Sequence, residues 1–131
     1  NLVEWSLGLR TADFNEAAAP FPAYMLEAVD HLDIDDLPED MAAELGVLAV
    51  RLNKAILGLG TVGRVHFNRW GDGAALFHVW FLGRPSGAWQ FSGYTLPLWG
   101  FTLPPLPDHE HAANDRVVAS SLEAATHNKT G

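Results

Sequence analysis

The sequence predicts an α+β domain: a mainly antiparallel sheet of about five strands, one long helix packed on it, and a C-terminal helix. Three observations carry this. Apolar residues recur at helical spacing over one long central segment. A Gly71-Asp72-Gly73 turn joins two strand-like segments, the sign of an antiparallel pair. Strand-like segments also come in adjacent runs with helices inserted, not in the strict alternation of a doubly wound parallel sheet. The 131 residues suffice for one such domain over 1–131 and are too few for two. The chain begins at Asn1 rather than at a methionine, which leaves room for further residues upstream.

The first strand is expected over residues 2–10, where apolar and polar positions mix, and Pro20 and Pro22 prevent a continuing ladder. A second strand covers 24–29. The acidic run from Asp30 to Asp40 that follows reads as a solvated connector. Met41, Leu45, Leu48, Leu52, Ala55 and Ile56 then recur at steps of three and four, lining one face of a helix of about five turns. Pro38 suits its first turn, Glu39 and Asp40 favour its positive end, and Lys54 with Gly58 and Gly60 marks its close.

Two strands, 64–70 and 75–82, flank the glycine turn. On the second, Phe77, Val79 and Phe81 share one face and Leu76, His78 and Trp80 the other. Both faces are mostly apolar, which places that strand in the middle of a covered sheet. A fifth strand is expected over 89–96. The four prolines within 97–107 argue against a regular element there. Trp99, Phe101 and Leu103 would be costly in water, so this segment should pack across the body or against a partner. Asp108 caps a last helix to about His127, with Val117, Val118, Leu122 and Ala125 as its apolar stripe.

A net charge of -8 argues against nonspecific nucleic-acid binding, which needs a basic stripe, but not against a single phosphorylated small molecule. The absence of cysteine removes disulfides, thiolate catalysis and cysteine zinc sites. No apolar run reaches the roughly 18 residues of a membrane helix and nothing resembles a signal peptide, so a cytoplasmic protein is the expectation. Of the six histidines, His109 and His111 are expected at the surface of a helix start, and His127 lies in a polar tail. His31, His66 and His78 each fall at or inside a strand. Their spacing is not that of a metal motif, so neither a metal nor a cofactor is expected.

The order of elements adds to this. A strand ending at His31, a long amphipathic helix, "RVHFNRWGDG" and then "FHVWFLGRP" resemble the histidine triad (HIT) superfamily of nucleotide hydrolases and transferases, over residues 24–85. In that family the last strand carries three histidines separated by apolar residues. The resemblance implies that His31 closes the second strand, that Asn68 helps hold a nucleotide phosphate, that His78 is the central nucleophile, and that the chain forms a homodimer. Leu76 and Trp80 stand where the first and third histidines belong. An imidazole keeps its orientation if any carbonyl accepts its far N–H, so Leu76 is tolerable. Trp80 is not equivalent to histidine: an indole N–H only donates and cannot shuttle a proton.

The resemblance therefore implies a degenerate triad that binds a nucleotide or another phosphorylated or aromatic small molecule, or that serves as a non-catalytic module. The alternative is an active nucleotide hydrolase or transferase working through a covalent intermediate on His78. Trp80 is free to stack on a ring, and His66 joins His31 and Asn68 as a candidate ligand contact. The hairpin register stays open. A two-residue turn at Asp72-Gly73 pairs Phe67 with His78 and turns Asn68 to the opposite side. A three-residue or bulged turn pairs Asn68 with His78 and His66 with Trp80.

Overall fold

Residues 5–9, 19–70, 77–91, 95–99 and 103–130 are described in the computed structural model of the chain. The strands are β1 (Trp5–Leu9), β2 (Ala23–Ala28), β3 (Val62–Asn68) and β4 (His78–Pro85). The helices are α1 (Glu39–Leu57), α2 (Leu96–Trp99) and α3 (Asp108–Thr130), with 3-10 turns at Ile34–Asp36 and Trp89–Phe91. The strands form one antiparallel sheet in the order β1-β2-β4-β3.

Two periods of hydrophobicity meet in the main core. Along α1 the predicted face is buried at Met41, Leu48, Leu52, Ala55 and Ile56, with Leu45 partly buried beside them. Along the sheet the two-residue period sends Tyr24, Leu26, Val79 and Phe81 toward the helix. The carboxylates of Glu39 and Asp40 sit at the positive end of α1, and Lys54 lies in its last turn. Gly58 closes the helix, and Gly60, at φ 82°, makes the left-handed turn into β3 that a side chain would resist.

The opposite sheet face holds a smaller core of Ala19, Phe21, Ala23, Leu82 and Leu96, against which Trp80 packs. Helix α3 is tied to the body at two polar points. The Tyr24 hydroxyl donates to Asp115 Oδ1 at 3.3 Å, and burial together with that carboxylate raises the phenol's pKa. His111 is 2% exposed, and its Nε2 lies 2.9 Å from the Ala19 carbonyl oxygen, which also accepts from the Leu106 N–H at 3.2 Å. The surface position expected for His111 is thus corrected: a carbonyl without a strand partner needs donors, and the helix brings one. His109 is exposed as expected.

The expected count of five strands becomes four among the described residues. The segment expected as the fifth instead makes the 3-10 turn at Trp89–Phe91 and enters α2 at Leu96. Strand β4 already has β2 on one edge and β3 on the other, so no edge is left to receive the chain that follows it. That chain crosses the sheet face, and Leu96 becomes fully buried on Leu82. Pro97 falls in the first turn of α2, where the missing N–H costs nothing, so the prolines permit a short helix that the sequence argued against. On α3 the stripe is narrower than expected: Val118 is fully buried, while Val117 is exposed. The turn at Gly71-Asp72-Gly73, Leu76 and Phe101 lie outside the described residues. Among the described residues no helix is long and apolar enough to cross a membrane.

Leu52 is 1% exposed at the centre of the α1 face, and Leu52→Ala leaves a cavity between helix and sheet. The expected loss is about 2–5 kcal/mol of unfolding free energy, read from urea denaturation.

Candidate functional site

Cross-strand partners share a sheet face, so the pairing of β4 with both neighbours decides which side chains can act together. On one side Glu27 pairs with His78, Met25 with Trp80 and Ala23 with Leu82. On the other Asn68 pairs with Trp80, His66 with Leu82 and Arg64 with Arg84. His78, Trp80, Asn68, His66, Glu27 and Met25 therefore project from the face opposite α1. This is the candidate site.

The register differs from both expectations. Asn68 faces Trp80 and not His78, His66 faces Leu82 and not Trp80, and Phe67 faces Phe81. Parity is nevertheless that of the bulged turn, so Asn68 and His66 share the face of His78. The displacement has a physical source in the chain after Asn68. Arg69 Nη2 pairs with Asp33 Oδ1 at 3.1 Å, and the guanidinium lies 5.7 Å from the Phe77 ring centroid. These contacts draw the chain toward the Ile34–Asp36 turn, so β3 leaves the ladder at Asn68 instead of running to Trp70. Phe67, exposed on the other face, meets Phe81 edge-on at 4.9 Å.

His31 does not close β2. The strand ends at Ala28, whose N–H donates to the Phe77 carbonyl at 2.9 Å, but the Phe77 N–H donates to Leu32 at 2.8 Å and not back to Ala28. Residues 29–31 consequently loop out of the ladder, and His31 sits exposed in the bend. His78, the first residue of β4, is half-buried. Trp80 is half-buried and packs one side against the smaller core.

Two polar atoms beside Trp80 and Leu82 are unpaired. Asn68 Nδ2 and His66 Nε2 are buried from solvent and have no hydrogen-bond partner. Such atoms are uncommon in folded proteins because each forfeits its hydration. Desolvation lowers the pKa of His66, and the positive charges of Arg84 and Arg64 lower it further. At the rim, the Ile34 N–H, donating to Asp33 Oδ1 at 2.7 Å, is the main cause holding the Asp33 carboxyl below its ordinary pKa. Arg69 adds to this, as does the charge of His78 when protonated. Among the described residues no group of three or more His, Cys, Asp or Glu is placed to hold a metal ion.

Sequence reasoning missed Glu27 and Arg84. The alternation of buried Tyr24, Leu26 and Ala28 already turns Glu27 away from the helix, but its place opposite His78 depends on the β2–β4 register. Arg84 carried no signal at all, since a strand-end arginine is ordinarily solvated.

The chain matches no protein-family model and no curated protein. Solved structures similar to it include a histidine triad protein from Bradyrhizobium japonicum, at 21% identity and TM-score 0.68, covering 92% of this chain and 86% of that one. A histidine triad protein from Marinobacter aquaeolei VT8 is similar at 20% identity and TM-score 0.62, over 80% of this chain and 77% of that one. The fold is therefore that of histidine triad proteins, as the sequence resemblance implied.

The lowered pKa of His66 makes stability depend on pH in a definite direction. In the unfolded chain the imidazole titrates near the ordinary value of about 6.5, so below that pH the unfolded state binds more protons than the folded one. The contribution is present above about pH 6.5 and lost as pH falls through the folded value. Urea denaturation at about pH 7.5 and about pH 5.5 should show wild type losing more stability on acidification than His66→Asn does. Equal losses would remove His66 as the source.

Proposed function

We propose that this domain of histidine triad fold binds a nucleotide, or another small molecule joining a phosphate to an aromatic ring, on the sheet face of His78, and holds it with little or no turnover. The observation that carries this is the unpaired Asn68 Nδ2 directly opposite Trp80. A phosphate oxygen is an acceptor of the kind that amide lacks, and an aromatic base suits the half-buried indole beside it. The resemblance of the sequence to the histidine triad superfamily of nucleotide hydrolases and transferases favours a nucleotide over other phosphate esters.

Weak turnover follows from the residue types. If His78 attacked phosphorus, a nitrogen–phosphorus bond would form as the bond to the leaving oxygen or nitrogen broke, and that atom would need a proton. At the third triad position Trp80 offers an N–H that it cannot give up. General acid–base help is worth roughly 10²–10⁴ in rate, and its loss leaves a binding site more readily than an enzyme.

A second reading, turnover through His78, is favoured by Glu27. Glu27 is the cross-strand partner of His78, a position from which a carboxylate suits the orienting role that a neighbouring acceptor plays for a catalytic imidazole. Sequence resemblance alone had assigned no residue to that role.

Two experiments separate these readings. Calorimetric titration with adenosine and guanosine monophosphates should show saturable binding that Asn68→Ala weakens about tenfold, the loss of one charge-assisted hydrogen bond. A folded wild type that binds neither would sink the proposal. In parallel, adenosine and guanosine phosphoramidates and dinucleoside polyphosphates should be turned over slowly or not at all by the wild type. Trp80→His, which restores a proton-carrying group, should raise hydrolysis about a hundredfold or more, and His78→Ala in that background should abolish it. Rapid wild-type turnover lost in His78→Ala would instead establish the second reading.

A further inference from the structure

Arg84 is a cation that the fold buries with no acid paired to it among the described residues. It is 5% exposed, and its Nη1 makes no hydrogen bond. The guanidinium lies 4.7 Å from the Trp89 ring centroid, and Nη2 sits 3.3 Å from where a side-chain carbon at Gly63 would begin, so Gly63 is part of its berth. A ring face offsets some of the charge, but it leaves the in-plane N–H of Nη1 without an acceptor. An uncompensated buried charge is costly, and this chain has 16 carboxylate residues against 8 bases from which a partner could have been drawn.

What surrounds Arg84 is instead more positive charge. Arg64, exposed on edge strand β3, is its direct cross-strand partner, an arrangement that ordinarily destabilises a strand pair. His66, two residues farther along β3 on the same face, feels both guanidinium charges and has an unpaired, buried Nε2. Two unsatisfied nitrogens and two arginines thus converge in an acidic protein. All of them lack the same thing, an oxygen-rich anion.

We infer that Arg84, Arg64 and His66 form an oxyanion site for a phosphoryl group at the far end of the same sheet face, away from His78. Arg84 supplies the fixed buried charge, His66 a directional N–H, and Arg64 the exposed arm at the edge of the sheet by which the anion enters. Six steps along β4 separate Arg84 from His78, roughly 20 Å at about 3.4 Å per residue. Between them Leu82 is sealed under Leu96, so the two places are not one continuous trough. The site does not depend on whether a nucleotide binds beside His78.

The test is an NMR titration of the full chain with inorganic phosphate, following the ring signals of His66 and His78 and the side-chain signal of Arg84, in wild type and in Arg64→Gln. Arg64 is exposed, so its substitution leaves the fold intact where replacement of buried Arg84 need not. The expected result is a saturable shift of the His66 and Arg84 signals, weakened about tenfold in Arg64→Gln. No saturable shift at these signals up to tens of millimolar phosphate would overturn the site. So would a response confined to His78, which would place the anion at the other end of the face, or an affinity unchanged in Arg64→Gln. A response at His66 and Arg84 with none at His78 would support this site while counting against phosphate binding beside His78.

Discussion

The double pairing of β4 is the constraint on which the rest of the structure depends. β2 pairs with it over His78–Leu82 and β3 over Trp80–Pro85, so its central residues are held from both edges. Its side chains are thereby committed to two different environments. Val79 and Phe81 enter the core beneath α1, while His78, Trp80 and Leu82 emerge on the far side. A one-residue slip would exchange these sets and bury an imidazole against α1. The apolar pairs on the helix side hold the register, and the polar side inherits it.

That inheritance explains why a site face persists although two positions of the histidine pattern hold other residues. Trp80 occupies its position because the ladder puts it there, packed on one side by the smaller core and bordered by Asn68. A tryptophan contributes area and one donor, where histidine contributes a mobile proton. The same backbone thus presents a surface suited to holding a ring and a phosphate, with the proton chemistry reduced. Glu27 enters from β2 as the side chain opposite His78, a position decided by the ladder alone.

The unpaired buried nitrogens are the other consequence. Asn68, His66 and Arg84 lie along one side of the β3–β4 ladder, and none has a hydrogen-bond partner for the atom concerned. Other buried polar groups are paired, with His111 and Leu106 sharing one carbonyl and Tyr24 finding Asp115 on α3, while Glu44 Oε1 on α1 is a further buried atom without a partner. Three deficits on one face are therefore informative, since each costs stability that an acceptor would return.

Much of this was determined by the sequence itself. The face of α1 from Met41 to Ile56 follows from the 3.6-residue period. The central place of β4 follows from two apolar faces on one strand, and the folding pattern from the order of these elements around "RVHFNRWGDG" and "FHVWFLGRP". These are local properties, written in spacing. Register, by contrast, is a relation between segments. Nothing near Asn68 says that Arg69 will reach Asp33 and end the strand there, nor that the excursion at 29–31 will put His31 in solvent. The loss of the fifth strand is of the same kind, because it depends on both edges of β4 being taken. His111 and Arg84 became buried polar groups only when distant segments closed over them. The periodicity of a chain is set by its own backbone geometry, whereas partners, edges and burial are set by which segments compete for the same space, and only the tertiary structure decides that competition.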